Sequence, residues 1–273
     1  MTGVQHQARV SALYIYPLKG AAGLALQAAE LDALGFRHDR RWMVVDAGGE
    51  FISQRTHPRL ALIRPELDDA ALRLRAPGLE PLSLPVQGAD GVALAVRIWR
   101  DTVEATSLGD AADRWISGYL GERARIVHLA AGAVRPVDPA YAPRATDRVA
   151  FTDGYPCLLI SGAALDELNR RLDQPVPMER FRPNLVVGGT APHAEDGWRR
   201  IRAGGVIFDV VKPCARCVVT TVDQRTAVAG AEPLRTLATY RKLGGGSKVM
   251  FGQNLVHQAP GRVSVGDRIE VLE

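Results

Sequence analysis

Lys212-Pro213-Cys214-Ala215-Arg216-Cys217-Val218-Val219-Thr220-Thr221-Val222-Asp223 places two of the three cysteines beside two cations. The run Val206-Ile207-Phe208-Asp209-Val210-Val211 precedes the segment, and Val218 to Val222 closes it. Both runs are short, apolar and β-branched, which favours strand over helix. A thiol between Lys212 and Arg216 is expected to ionise more readily than a free cysteine, because neighbouring positive charge stabilises the anion. The segment reads as a place to hold a soft metal or to do sulfur chemistry.

A thioredoxin-like site needs a helix starting at the cysteines, and here the chain reads as continuing in a strand. A structural zinc site needs four ligands; Cys157 is the remaining cysteine, and no two histidines have finger spacing. Two inert, packed thiols are the third reading, since cysteine packs like a small hydrophobe. Cys157 stands beside the apolar run Leu158-Leu159-Ile160 and reads as a core residue.

Working outward, many short strands and few helices appear. Val10 to Tyr16 reads as a strand entering a loop at Lys19. Trp42 to Asp46 and Phe51 to Arg55 flank Ala47-Gly48-Gly49-Glu50, a hairpin connection. Leu72-Arg73-Leu74-Arg75 alternates as a half-buried strand does, and Val96 to Trp99 continues the pattern. Ala112, Trp115, Ile116, Tyr119 and Leu120 share a helical face, with Asp110 as cap and Gly121 as stop. Ser161 opens a second helix, and Ile201 to Val211 and Arg262 to Leu272 return to strands. Strands separated by glycine and proline turns predict a mainly β, barrel-type architecture. Asp138-Pro139-Ala140-Tyr141-Ala142-Pro143 reads as a boundary or exposed loop, and Gly244 to Ser247 as a surface connection.

With 273 residues, 47% hydrophobic and 23% charged, the chain is expected to be globular, with one large or two small domains. It contains no apolar run long enough to span a bilayer. Met1 to Arg9 lacks the basic-then-apolar pattern of a signal peptide. Three cysteines fit a reducing compartment, so a cytoplasmic location is expected. A net charge of +4 without a lysine or arginine run argues against nucleic-acid binding. No nucleophile elbow and no phosphate-binding Walker loop appears, which leaves hydrolase and nucleotide-hydrolase readings unsupported. The six histidines are scattered and offer no competing centre.

The cysteine motif resembles that of MOSC domains, named after the C-terminal part of molybdenum cofactor sulfurases. More closely, the chain resembles the branch containing the mitochondrial amidoxime-reducing component and bacterial YcbX proteins. Four further motifs carry the likeness in family order: Tyr16-Pro17-Leu18-Lys19-Gly20, Asp39-Arg40-Arg41-Trp42-Met43-Val44, Phe181-Arg182-Pro183-Asn184-Leu185-Val186 and Phe251-Gly252-Gln253-Asn254. The resemblance implies an N-terminal MOSC β-barrel domain, here 1–130, and a MOSC barrel, here 131–273, either as separate domains or integrated as one unit.

The resemblance also implies the molybdenum cofactor, with Cys217 as metal ligand and catalytic residue. Thiolate suits a metal already held by soft sulfurs. Cys214 is either near the metal or simply packed. Lys19, Arg40, Arg182 and Arg216 fall at cofactor-contacting positions, where arginine forks and lysine charge suit a phosphate tail and ring acceptors. Gly20, Asn184, Ala215 and Asn254 complete the implied cofactor-binding set. Asp153 joins it, pairing with a cation or with pterin nitrogens, or else serving as a turn residue before Gly154. Gly20 replaces the family's usual serine, leaving a backbone N–H for phosphate. Asn254 stands where mitochondrial members often carry tyrosine, which changes the pocket wall.

The implied activity is reduction of hydroxylamines, amidoximes or N-hydroxylated bases by oxygen abstraction at molybdenum. The alternative is a cofactor or sulfur carrier holding a persulfide on Cys217. MOSC domains are also described alongside pyridoxal phosphate, because sulfurases join them to a lyase domain; no such domain is recognisable here and no catalytic lysine is assigned. Some YcbX-type proteins carry a ferredoxin domain. This chain ends at Glu273, and three cysteines cannot supply the four thiolates of such a cluster. A separate electron donor of ferredoxin, flavoprotein or cytochrome type is therefore expected.

Overall fold

The structure, a computed structural model, describes residues 7–86, 91–242 and 246–273. Gly244 and Gly245 of the expected glycine loop, and the first six residues of the Met1–Arg9 stretch, lie outside them. The fold is mainly β. Its largest sheet has eight strands in the order Ile269–Val271, Arg200–Ala203, Val206–Arg216, Val249–His257, Cys157–Ser161, Leu185–Gly188, Arg9–Ile15 and Leu24–Leu26. Neighbours pair antiparallel except Cys157–Ser161 with Leu185–Gly188, which run parallel. The helix Gly162–Asn169 lies in that crossover, and Ser161 caps it by accepting a hydrogen bond from Ala164 N.

Strand Arg9–Ile15 is hydrogen-bonded to Leu185–Gly188, so the start of the chain is built into the sheet of its C-terminal half. A core of Val10, Leu13, Ile15, Leu159, Leu185, Phe208 and Leu255 lies against this sheet. A four-stranded sheet, Trp42–Asp46, Ala124–Leu129, Asp101–Ser107 and Ala93–Ile98, and a three-stranded meander, Arg64–Leu67, Ala71–Arg75 and Leu82–Pro85, form the other half. Trp42, Leu72, Leu74 and Ile126 pack there against Ile116 and Tyr119 of helix Asp110–Leu120. The alternation read at residues 72–75 is realised: Leu72 and Leu74 are fully buried, and Arg73 and Arg75 point outward toward Glu66.

Three local expectations change. Val218 to Val222 is not a strand; Val218–Thr221 forms a 3-10 turn. Thr220 donates to the Cys217 carbonyl through both its N–H (3.1 Å) and its hydroxyl (3.0 Å), and the Thr221 hydroxyl donates to the Val218 carbonyl at 2.8 Å. These local bonds replace the sheet ladder. Phe51 makes one bridge to Val45, and the chain then turns, with the Ser53 carbonyl accepting from Thr56 and His57 N–H before Pro58. Asp110 is the first residue of its helix, and Gly109 occupies the cap; Gly121 is the left-handed stop, as expected.

His128 on strand Ala124–Leu129 meets Trp42 edge-on, with ring centroids 4.9 Å apart. Burial, helped by the charge of Arg41, pushes this imidazole down from 6.5 to about 4. As pH falls from 6.5 toward 4 the unfolded chain takes up the proton first, so the fold loses stability across that window. We predict that His128→Phe removes about 2 kcal/mol of the acid-induced loss, read from urea midpoints at neutral and mildly acidic pH. An unchanged pH slope would rule out this origin.

Candidate active site

Three of the four motifs outside the cysteine segment meet around the ring of Tyr16, and the fourth, Phe251 to Asn254, joins them through Arg216. The guanidinium carbons of Arg40 and Arg182 lie 4.3 Å and 4.2 Å from its centroid. Asp39 fixes the start of this arrangement: one carboxylate oxygen accepts from Tyr16 N at 2.7 Å, the other from Arg40 Nη1 at 2.6 Å. The Phe181–Asn184 segment turns its carbonyls inward. Phe181 O accepts from Arg216 Nη1 (3.0 Å), Arg182 O from Arg40 Nη2 (3.1 Å), and Pro183 O from the Tyr16 hydroxyl (3.1 Å). Phe251 O accepts from Arg216 Nε at 2.9 Å. Gly252, at φ +80°, lets this strand lie against Leu159 and Ile160, where a Cβ would sit 2.6 Å from the Leu159 carbonyl.

These contacts shape a cavity of about 430 Å³. All ten residues proposed from the sequence line it: Lys19, Gly20, Arg40, Asp153, Arg182, Asn184, Ala215, Arg216, Cys217 and Asn254. Lys19 is buried and its Nζ lies 2.5 Å from Asp153 Oδ1. Burial lowers the Lys19 pKa, and the Asp153 charge works against that shift. For Asp153, desolvation opposes ionisation, but the charge and hydrogen bond of Lys19 hold the carboxyl well below the usual range. Gly20 has φ +89°, a conformation that residues with a side chain rarely adopt, and its carbonyl accepts from Gln54 Nε2 at 2.6 Å. Buried Arg135 donates to the Ala150 and Thr152 carbonyls and so sets the approach to Asp153.

Arg40 and Arg182 differ electrostatically. Burial disfavours the charge on both; Asp39 reverses this for Arg40, whose pKa is raised. Arg182 has no carboxylate within ion-pair distance among the described residues, and it donates to the Ala21 carbonyl at 2.6 Å. Burial and the nearby Arg40 charge lower it to about 10. Asn184 is committed to the protein: Nδ2 donates to Tyr14 O, and Oδ1 accepts from Arg40 Nη1 and Leu158 N. Asn254 Nδ2 donates to Lys212 O at 3.2 Å.

The cysteine motif differs from its expected electrostatics. Lys212 and Arg216 do not pair with the thiols. Lys212 Nζ lies 3.8 Å from the Tyr141 ring centroid, and Arg216 is spent on carbonyls. Irregular pairing between Val210 and Lys212 and between Pro213 and Ala215 disturbs the alternation of this strand. The Cys214 thiol is pushed up by burial, with Arg216 pulling the other way, and the Cys157 thiol is also pushed up by burial, in the core. The cation that reaches a thiol is Arg55, whose Nη2 donates to Cys217 Sγ at 3.2 Å. Arg55 stands 162 positions away in the chain, so no motif pointed to it. Arg180, Tyr141, Tyr155, Thr152 and Lys248 are further wall residues that sequence reasoning did not single out.

Among the described residues the cavity wall carries eight lysine or arginine residues against one carboxylate, Asp153. Arg216 Nη2, Arg180 Nε and Thr152 Oγ1 are buried without a hydrogen-bond partner. Unmet buried donors and excess positive charge fit an anion with several acceptors. Among the described residues no three His, Cys, Asp or Glu side chains converge to hold a metal by themselves. A metal here would have to bring further ligands of its own, as a dithiolene cofactor does. The cationic wall and the Cys217 sulfur fit the molybdenum cofactor.

Comparison with known proteins agrees in its architecture. Residues 7–123 match the MOSC N-terminal beta barrel domain, and residues 146–270 match the MOSC domain. The chain is 35% identical over 285 residues to mitochondrial amidoxime-reducing component 1 of Homo sapiens, covering 98% of this chain and 84% of that protein. It is 33% identical over 292 residues to the Mus musculus counterpart, with the same coverage. Mitochondrial amidoxime reducing component 2 of Rattus norvegicus is 34% identical over 283 residues, covering 97% and 84%. The protein therefore belongs to the MOSC-domain family that includes the mitochondrial amidoxime-reducing components. Nothing in these relationships brings pyridoxal phosphate to this chain. No helix among the described residues is long and apolar enough to cross a membrane.

If the unpaired buried charge of Arg182 serves an anion, removing it costs ligand response more than stability. Inorganic pyrophosphate is expected to raise the Tm of the cofactor-free protein at low salt. Arg182→Met should lose most of that rise without lowering the Tm of the anion-free protein. Equal rises in both proteins would remove Arg182 from the anion site.

Proposed function

We propose that the protein is a molybdenum-cofactor oxidoreductase that removes oxygen from N-hydroxylated compounds such as amidoximes, hydroxylamines and N-hydroxylated bases. One observation carries the reading. A single cavity gathers a cationic, under-satisfied wall and the Cys217 sulfur, in a chain whose relatives are named for amidoxime reduction. The cofactor, when bound, supplies a metal able to exchange two electrons and take oxygen from an N–O bond.

The chain's own residues supply binding and orientation. Cys217 offers a thiolate ligand at the end of strand Val206–Arg216, where the following 3-10 turn fixes its carbonyl. Arg182 and Arg216, with Lys19 and Arg40 beside them, offer donors for a phosphate tail and for ring acceptors. Gly20 exposes backbone for close approach of phosphate. Lys19 Nζ holds protons against Asp153 Oδ1, within the cavity where the reaction consumes them. Tyr141 and Tyr155 form an aromatic wall suited to planar substrates.

A separate electron-donor protein, of ferredoxin, flavoprotein or cytochrome type, belongs to the same proposal; the relatives' names describe a component of a system. Domain limits of 1–130 and 131–273 are proposed, joined through strand Arg9–Ile15. A cytoplasmic location is supported by three cysteines that form no disulfide.

The test is reduction of benzamidoxime by cofactor-loaded protein with a reduced viologen as electron source. Cys217→Ser is expected to lose more than about 100-fold in kcat, a loss on the scale of removing a reacting group, while its Tm stays close to that of the wild type. Full activity in the variant would overturn the assignment. A persulfide on Cys217 in protein that never acquires molybdenum would favour the sulfur-carrier reading.

A further inference from the structure

Trp99 breaks a local rule. Strands Ala93–Ile98 and Asp101–Ser107 pair with Ile98 opposite Asp101, so Trp99 and Arg100 form a two-residue hairpin turn. Trp99 has φ +57°, in a position that such turns fill with glycine or asparagine. A bulky residue held there is strained, and strain of this kind persists where the surroundings hold the residue for a purpose. Trp99 is also 41% exposed, so core packing does not account for it.

Its contacts point to the cavity. Trp99 Nε1 donates to Asp153 Oδ1 at 3.3 Å, the same oxygen that Lys19 approaches. The Phe51 ring packs beside the indole, with centroids 4.8 Å apart. The Arg55 guanidinium carbon lies 4.5 Å from the indole centroid. That guanidinium donates to Cys217 Sγ. Arg55 makes no ion pair among the described residues, so the indole face and the sulfur are what hold its head group. A long exposed arginine without such support samples many rotamers.

We infer that Trp99 is a positioning residue that keeps the Arg55 guanidinium against the Cys217 sulfur. The hairpin tip thereby controls the charge presented at the thiol, from outside the cysteine motif. Its importance for catalysis rests on the proposed role of Cys217, but the placement itself is testable without any cofactor.

The experiment alkylates the cofactor-free chain with iodoacetate, an anion, or with neutral iodoacetamide, and follows Cys217 by peptide mass spectrometry. Arg55→Gln sets the scale: loss of a cation at the sulfur is expected to lower the iodoacetate-to-iodoacetamide rate ratio by about threefold. Trp99→Gly suits the turn's backbone and so should fold. It is expected to lower the ratio as far as Arg55→Gln does, while Trp99→Phe, which keeps an aromatic face, retains the wild-type ratio. A wild-type ratio in Trp99→Gly, or no change in Arg55→Gln, would overturn the inference. Neither result depends on whether the protein takes up molybdenum, so failure here and failure of the reductase reading are distinguishable.

Discussion

Two buried guanidiniums share one tyrosine ring, and much of the fold exists to keep them there. Bringing like charges together out of water is costly unless partners compensate. Asp39 compensates Arg40, and it also receives the Tyr16 N–H, so the same carboxylate fixes the backbone beneath the ring. Arg182 receives carbonyl contact and no carboxylate among the described residues. Arg182 and Arg216, the latter with a spare buried donor, line a cavity that Lys19 and Cys217 also line. The uncompensated charge is an electrostatic cost of a kind that an anionic ligand would relieve.

That arrangement explains why the chain's two halves interlock. Tyr16 follows strand Arg9–Ile15, which is paired to Leu185–Gly188; Arg40 precedes strand Trp42–Asp46, in the other half. Asn184 ties the two, accepting from Arg40 and from Leu158 while donating to Tyr14. The cavity is therefore a seam feature. Neither half supplies it alone.

The site was legible because the motifs around Lys19, Arg40, Arg182 and Arg216 resemble those of a known family; taken singly, each cation reads as an ordinary surface charge. Strand alternation made the barrels legible, as at Leu72 to Arg75. What escaped was set by contacts distant in the chain or by local bonding that hydrophobicity does not report. Thr220 and Thr221 turn an apparent strand into a 3-10 turn through hydroxyl bonds. Lys212 and Arg216 flank Cys214 in the chain yet turn away from it, to Tyr141 and to two carbonyls. Arg55 lies in an ordinary-looking turn, and only the tertiary fold brings it to Cys217.

We propose that this seam is a molybdenum cofactor site. The most direct test is the molybdenum and pterin content of the protein purified from a host that synthesises the cofactor. Roughly equimolar metal, pterin and chain are expected, as one cavity with one thiolate ligand requires. Protein that stays free of both metal and pterin, despite being folded and supplied with cofactor, would contradict it.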